Sequence, residues 1–242
     1  VYKRQECHSP RNALGGIRDA SRATGGILPG LPWYAPSLRD AAQAGTTDPA
    51  ALQSFLQTGL GAGRFAAGPM AEVVLHGTQY LSDPDAQAIA VYVQSLVLNQ
   101  AGVATPLGDS TTGMARDESS TSLTYAEPSS AQTKGADIYT QHCADCHGGN
   151  GQGRAGVYPA LAGNRALVMD KPNNAVLSVL YGGFAPSTQS NPRPFGMPPY
   201  MLELSNAQIA QVLSYTRSAW GNQASPISEL QVQAVRDPQQ RR

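Results

Sequence analysis

Cys143-Ala144-Asp145-Cys146-His147 is the stretch on which the fold turns. A Cys-x-x-Cys-His unit is the attachment motif of a c-type haem. Two thiols at this spacing add across the two vinyl groups of one haem, and the adjacent histidine reaches the iron from the proximal side. Two blander readings compete. A redox dithiol would want a βαβ setting, which the surrounding sequence lacks. A zinc site could draw on His142, Cys143, Cys146 and His147, but three of these are nearly contiguous and surround a tetrahedral ion poorly.

A haem iron held by His147 needs a ligand on its other face, and the sequence downstream offers three methionines. Met197 lies in Gly196-Met197-Pro198-Pro199-Tyr200, where prolines stiffen the chain and present a thioether at low entropic cost. Met169 and Met201 are its rivals, with core filler as the ordinary fate of any methionine. The Pro159 carbonyl can accept the Nδ1 hydrogen of His147, which fixes the tautomer and orients the ring. His147 and Met197 together would saturate the iron, which then carries electrons rather than binding oxygen or peroxide.

The same order of landmarks occurs twice, the sign of an internal repeat. Cys146-His147, Pro159-Ala160-Leu161, Met197, Leu204-Ser205 and Tyr215 are matched by Cys7-His8, Pro36-Ser37-Leu38, Met70, Leu81-Ser82 and Tyr92. The first copy departs at Arg4, which stands where a cysteine would supply the second thioether. Three readings follow: a haem held by Cys7 alone, a copy that has lost its haem, or an unrepresentative N-terminus. The first is preferred, since an empty copy has little use for His8, Pro36 and Met70. Arg4 itself is expected to be a solvated surface charge, and His76 and His142 to be structural.

Ser82 and Ser205 read as helix N-caps, with Asp83 and Pro84 suited to a first turn. Ile209, Leu213, Thr216 and Trp220 recur at helical spacing after Ser205, and Ile89, Val93 and Leu96 do so after Ser82. Another helix is predicted from Gly135 to Cys143. No strand alternation stands out, so the fold is expected to be mostly α with long irregular loops. The 242 residues divide into a first domain over 1–100, a linker rich in Gly, Ser, Thr and Pro over 101–133, a second domain over 134–222, and a tail over 223–242. A formal net charge of zero with no basic run speaks against nucleic acid. The longest apolar stretch, around Ala88–Leu98, is shorter than the roughly 20 residues of a spanning helix. Opening at Val1 without a leader segment, the chain reads as processed material or a piece of something longer.

With these residues assembled, the chain resembles the multihaem cytochrome c subunits of bacterial periplasmic membrane-associated dehydrogenases of the alcohol, aldehyde and gluconate type. Cys7-His8-Ser9-Pro10-Arg11-Asn12 is similar to the Cys-His-Thr-Pro-Arg-Asn of that family's middle haem. Gly68-Pro69-Met70-Ala71-Glu72-Val73-Val74 resembles its middle methionine segment. Tyr139 to Gly148, Arg193 to Tyr200 and Ala219-Trp220-Gly221-Asn222 resemble its last domain. The resemblance implies two tandem class I cytochrome c domains, with the family's usual first haem domain lacking. It implies two haems c, and the departure at Arg4 leaves Cys7 as the one attachment point of the first. It also implies a periplasmic electron-transfer subunit with no substrate chemistry of its own. Its partners would be a catalytic dehydrogenase subunit and a quinone or downstream oxidase, and through them it would associate peripherally with the inner membrane. A dihaem peroxidase is the alternative, and the two equivalently placed methionines oppose it.

Met197→Ala in the haem-loaded chain is expected to abolish the sulfur-to-iron absorption at the red edge of the visible spectrum and to lower the potential. Loss of that band in Met201→Ala and its retention in Met197→Ala would reverse the assignment.

Overall fold

The computed structural model describes residues 2–17, 22–39, 48–61, 64–101 and 130–237. Most of the predicted linker, 102–129, lies outside the described residues. The described N-terminal half contains α1 (Tyr2–His8), the antiparallel pair β1 (Gly26–Ile27) and β2 (Tyr34–Ala35), α2 (Pro49–Thr58), the pair β3 (Leu60–Gly61) and β4 (Arg64–Phe65), α3 (Pro69–His76) and α4 (Asp83–Ala101). The C-terminal half contains α5 (Ser130–His142), the single turn α6 (Ala144–His147), α7 (Arg165–Val168), α8 (Asn173–Tyr181), the pair β5 (Gly183–Phe184) and β6 (Gly196–Met197), α9 (Asn206–Ser218) and α10 (Glu229–Arg236). The fold is mostly helical, and its described strands are only two residues long.

The main core lies in the C-terminal half. Ile138 and Tyr139 of α5, Val176, Leu177 and Leu180 of α8, and Ile209, Val212 and Leu213 of α9 are buried together. A capping box starts α9: Ser205 Oγ accepts from the Gln208 N–H at 3.2 Å, and the Gln208 side chain accepts from Ser205 N–H at 2.9 Å. Helix α5 crosses α9 at Gly135. A Cβ there would lie 2.4 Å from the Gln211 carbonyl oxygen, so only glycine allows the two backbones to approach this closely. One turn further on, Tyr139 packs against Tyr215 and Trp220, with ring centroids 5.7 and 4.9 Å away.

Three expectations need correction. Trp220 was predicted to lie on the last periodic helix. It lies beyond the end of α9 with φ of +55°, and this turn directs its ring back onto Tyr139. The segment after Asn222 is more than a tail. Ser228 caps α10 with a second capping box, and the helix inserts Val232 and Val235 into the core, where they are 0% and 3% exposed. Polar glutamines and arginine around those two valines hide the short amphipathic pattern. Helix α5 also starts at Ser130, inside the predicted linker.

In the N-terminal half, α4 is capped by Ser82, whose Oγ accepts from the Asp85 N–H at 3.3 Å. Its buried stripe is Ala86, Ala90 and Val93, so the apolar face is turned slightly from the predicted Ile89, Val93 and Leu96. A smaller cluster of Ala66, Ala71 and Val74 is flanked by Phe55 and Met70.

Because α10 completes the core, Val232→Ala should destabilise the folded chain by about 1.5 to 3 kcal/mol, the value of a fully buried valine side chain. Urea unfolding should show a lower midpoint with an unchanged slope. A midpoint equal to wild type would mean that α10 does not contribute to the core.

Candidate haem c site

The motif is wound as one helical turn. The His147 N–H donates to the Cys143 carbonyl at 2.9 Å, and Gly148 N–H donates to the Ala144 carbonyl at 2.8 Å. Residues three apart on a turn share a face, so Cys143 and Cys146 are presented together. Both are free thiols, Cys143 half-buried and Cys146 exposed. Burial, with neighbouring Cys146 adding to it, pushes the Cys143 thiol up to about 11. A redox dithiol needs the opposite, a depressed thiol. Among the described residues no group of three or more His, Cys, Asp or Glu side chains is placed to hold a metal ion.

His147 is 9% exposed, and its Nδ1 lies 2.9 Å from the Pro159 carbonyl oxygen. Only a protonated Nδ1 can donate to that carbonyl, which leaves the Nε2 lone pair for a metal. Burial lowers the ring's pKa, against a smaller opposing effect of the Pro159 bond, and keeps the imidazole neutral. The loop from His147 to Pro159 is closed by two further bonds. Gly153 N–H donates to the His147 carbonyl at 2.7 Å, and Leu161 N–H donates to the Gly151 carbonyl at 2.7 Å. Free paired thiols, a buried neutral imidazole and a fixed tautomer fit a covalently held haem.

Met197 sits half-buried on β6, paired with Gly183 of β5. Gly182, with φ of +63°, allows the pair to close, since a Cβ there would lie 2.2 Å from the Met197 carbonyl oxygen. Tyr200, three residues on, donates its hydroxyl to the His142 carbonyl at 2.6 Å, next to the attachment motif. The His142 ring stands edge-on to Tyr200. Met201 packs against the core, and its carbonyl accepts from Arg236 at 2.8 Å. The Met169 carbonyl accepts from Arg217 at 2.9 Å. Met201 thus has a core-filling role that Met197 lacks.

The N-terminal half repeats the histidine-to-proline loop, while its methionine is carried differently. His8 Nδ1 lies 2.8 Å from the Pro36 carbonyl, Gly25 N–H donates to the His8 carbonyl at 2.8 Å, and Leu38 N–H donates to the Ala23 carbonyl at 2.9 Å. Ala23 takes φ of +61° where Gly151 takes +63°, so even the left-handed backbone turn is copied, at a cost of about 1 to 2 kcal/mol for a residue with a Cβ. Burial lowers the His8 pKa, with nearby Arg4 acting the same way. Cys7 is a half-buried free thiol. Met70 lies in the first turn of α3 against Ala66, Ala71 and Val74. Arg4 does not match the expectation of a solvated charge: its guanidinium lies 4.9 Å from the centroid of the Tyr92 ring, a cation–π contact supplied by α4. His76 pairs with Glu72 at 3.1 Å on the surface of α3.

Two buried polar residues hold these segments: Asn222 falls in a stretch that the resemblance singles out without assigning it a role, and Arg217 gives no signal in the sequence. Asn222, 6% exposed, accepts from Gly163 N–H at 2.9 Å and donates to the carbonyls of Leu161 and Thr216, stitching the end of α9 to the loop that carries Pro159. Arg217 is 3% exposed and donates to the carbonyls of Leu167, Met169 and Ser225. Burial lowers its pKa, with Asp170 opposing.

Removing the Tyr200 hydroxyl leaves the His142 carbonyl without this donor. Tyr200→Phe should therefore cost about 0.5 to 1.5 kcal/mol, and the sulfur-to-iron band should be lost at a lower pH than in wild type. An unchanged alkaline midpoint would detach Tyr200 from the methionine segment.

Comparison with known proteins identifies relatives. Residues 132–220 match the cytochrome c family. The chain is 34% identical over 240 residues to the cytochrome c subunit of alcohol dehydrogenase (quinone) from Gluconacetobacter polyoxogenes, covering 96% of this chain and 49% of that protein. It is 33% identical over 241 residues to the fructose dehydrogenase cytochrome subunit of Gluconobacter japonicus, again with 96% and 49% covered. Thus the chain spans about half the length of these dehydrogenase subunits. Over 94 residues it is 36% identical to cytochrome c-552 of Thermus thermophilus, covering 38% of this chain and 71% of that protein. With a family match over residues 132–220 and a cytochrome c-552 covered over 71% of its length at 36% identity, the chain belongs to the cytochrome c family.

Proposed function

We propose that the chain is an electron-transfer subunit with two tandem class I cytochrome c domains and two haems c, taking electrons from a catalytic dehydrogenase subunit and delivering them to a quinone or a terminal oxidase. The observation that carries this reading is the repeated histidine-to-proline hydrogen bond, 2.8 Å at His8–Pro36 and 2.9 Å at His147–Pro159. The relatives named as cytochrome subunits of alcohol and fructose dehydrogenases support the choice of partner.

Haem c, when bound, supplies an iron that takes up and releases one electron at a time. The protein's contribution is to hold and saturate that iron. Cys143 and Cys146 would hold the second haem through two thioethers, with His147 Nε2 and the Met197 sulfur as the iron's ligands. Cys7 would hold the first haem through one thioether, with His8 and Met70 as ligands. A histidine and a methionine on each iron would leave no place for peroxide, which fits an electron carrier without substrate chemistry of its own. The Pro159 and Pro36 carbonyls orient the two imidazoles and fix their tautomers, while burial lowers the pKa of both rings. No helix among the described residues is long and apolar enough to cross a membrane. Peripheral association through the partner subunits, on the periplasmic side where c-type haems function, fits these features.

A pyridine haemochrome spectrum combined with the intact mass should give two haems and three thioethers per chain. The peptide from Arg4 to Arg11 should carry one haem mass on Cys7. The unreacted vinyl group left by Arg4 should move the reduced alpha band of the first haem to longer wavelength than that of the second. An unmodified Cys7 thiol in mature protein would reduce the reading to a single haem.

A further inference from the structure

The two halves are bound to each other by a small set of specific contacts. Asn173 and Asn174 open α8 in the C-terminal half. Asn173 Nδ2 donates to the Pro32 carbonyl at 2.9 Å, and Asn173 is itself buried. Asn174 grips Tyr34 from both sides: its Nδ2 donates to the Tyr34 carbonyl at 2.7 Å, and its Oδ1 accepts from the Tyr34 N–H at 2.9 Å. Between these anchored residues stands Trp33. Its ring packs against the core of the C-terminal half. It also lies against Gly68, where a Cβ would come within 2.6 Å of the ring. Gly68 caps α3 two residues before Met70.

A second line of contact runs parallel. Gly59 lies against Pro186, where a Cβ would come within 2.4 Å of the proline ring, and the Gln79 side chain donates to the Ser187 carbonyl at 3.4 Å. Pro186 and Ser187 follow β5, the strand paired with the Met197 strand. Part of this interface therefore lies close to the methionine segments: Trp33 meets Gly68 two residues before Met70, and Pro186 and Ser187 follow the strand paired with that of Met197.

We propose that Asn173, Asn174 and Trp33 lock the two halves into one fixed electron-transfer body joined on their methionine sides, with Trp33 the positioning residue that holds the two redox centres at working separation. The inference rests on the two-haem reading above. The step is a single electron leaving the reduced centre of one half and arriving at the oxidised centre of the other, with no bond or proton exchanged. Amide-to-backbone hydrogen bonds fix register and orientation, and the indole fills the gap that the loop and Gly68 leave between the halves. A merely tethered pair would sample many separations and show no such reciprocal pairing.

The test uses the full, haem-loaded chain. Haem count by mass comes first, since a single haem overturns the two-haem reading and this proposal with it. With two haems attached, Asn174→Ala should raise hydrogen exchange at the Tyr34 amide by roughly tenfold, the factor that goes with losing hydrogen bonds of this strength. After one electron is injected photochemically, Trp33→Leu should equilibrate it between the halves more slowly than wild type, with both haem spectra and potentials unchanged. Trp33→Phe, which keeps a ring, should recover part of the rate. Equal equilibration rates in wild type and Trp33→Leu would overturn the proposal, as would an unchanged Tyr34 exchange rate in Asn174→Ala.

Discussion

Everything around the candidate site is arranged so that one ring nitrogen can give its hydrogen to one proline carbonyl. The bond from His147 Nδ1 to Pro159 decides which nitrogen faces outward, and so whether the imidazole can act as a ligand. The surrounding backbone serves it. Left-handed glycines at 151 and 153 turn the chain back, the Gly153 N–H returns to His147, and Asn222 ties the loop to the end of α9. Helix α9 is in turn held to α5 by the close crossing at Gly135. A side chain at that glycine would push apart the two helices that frame the attachment turn, several residues from any thiol.

Much of this was legible in the sequence. The attachment motif, the proline carbonyl, the serine N-caps and the paired order of landmarks are short-range signals, and each has a local physical cause. Met197 is preferred to Met201 on its place before two prolines, and the core adds a second distinction, since Met201 packs against it. Trp220 matched a helical period without belonging to the helix, since its left-handed turn depends on the ring of Tyr139 more than on its neighbours in sequence. Helix α10 was hidden because two valines among glutamines make a weak pattern that becomes meaningful only against a core awaiting a lid. Arg4 was misjudged for the same reason, as the Tyr92 ring lies far along the chain.

Two buried polar side chains of the C-terminal half, Arg217 and Asn222, answer backbone carbonyls: those of Met169, Ser225 and Leu161 in irregular segments and those of Leu167 and Thr216 near helix ends. The long loops typical of this fold are thereby given fixed courses by a few side chains projecting from helix α9 and its end, which explains how a chain with such short strands can present a methionine and a histidine from separate segments.

The two histidine-to-proline loops span 28 residues in the first half and 12 in the second, yet both close on the same bond. The entropy of closing a loop grows only with the logarithm of its length, so the longer one costs about 0.7 kcal/mol more. That is comparable to a single hydrogen bond from Asn174. The additional residues contain Pro32, Trp33 and Tyr34, the stretch that meets the other half. Lengthening a loop is thus an inexpensive evolutionary route by which two segments that close on the same histidine-to-proline bond acquire different duties: one keeps the short form, and the other grows the hand that grasps it.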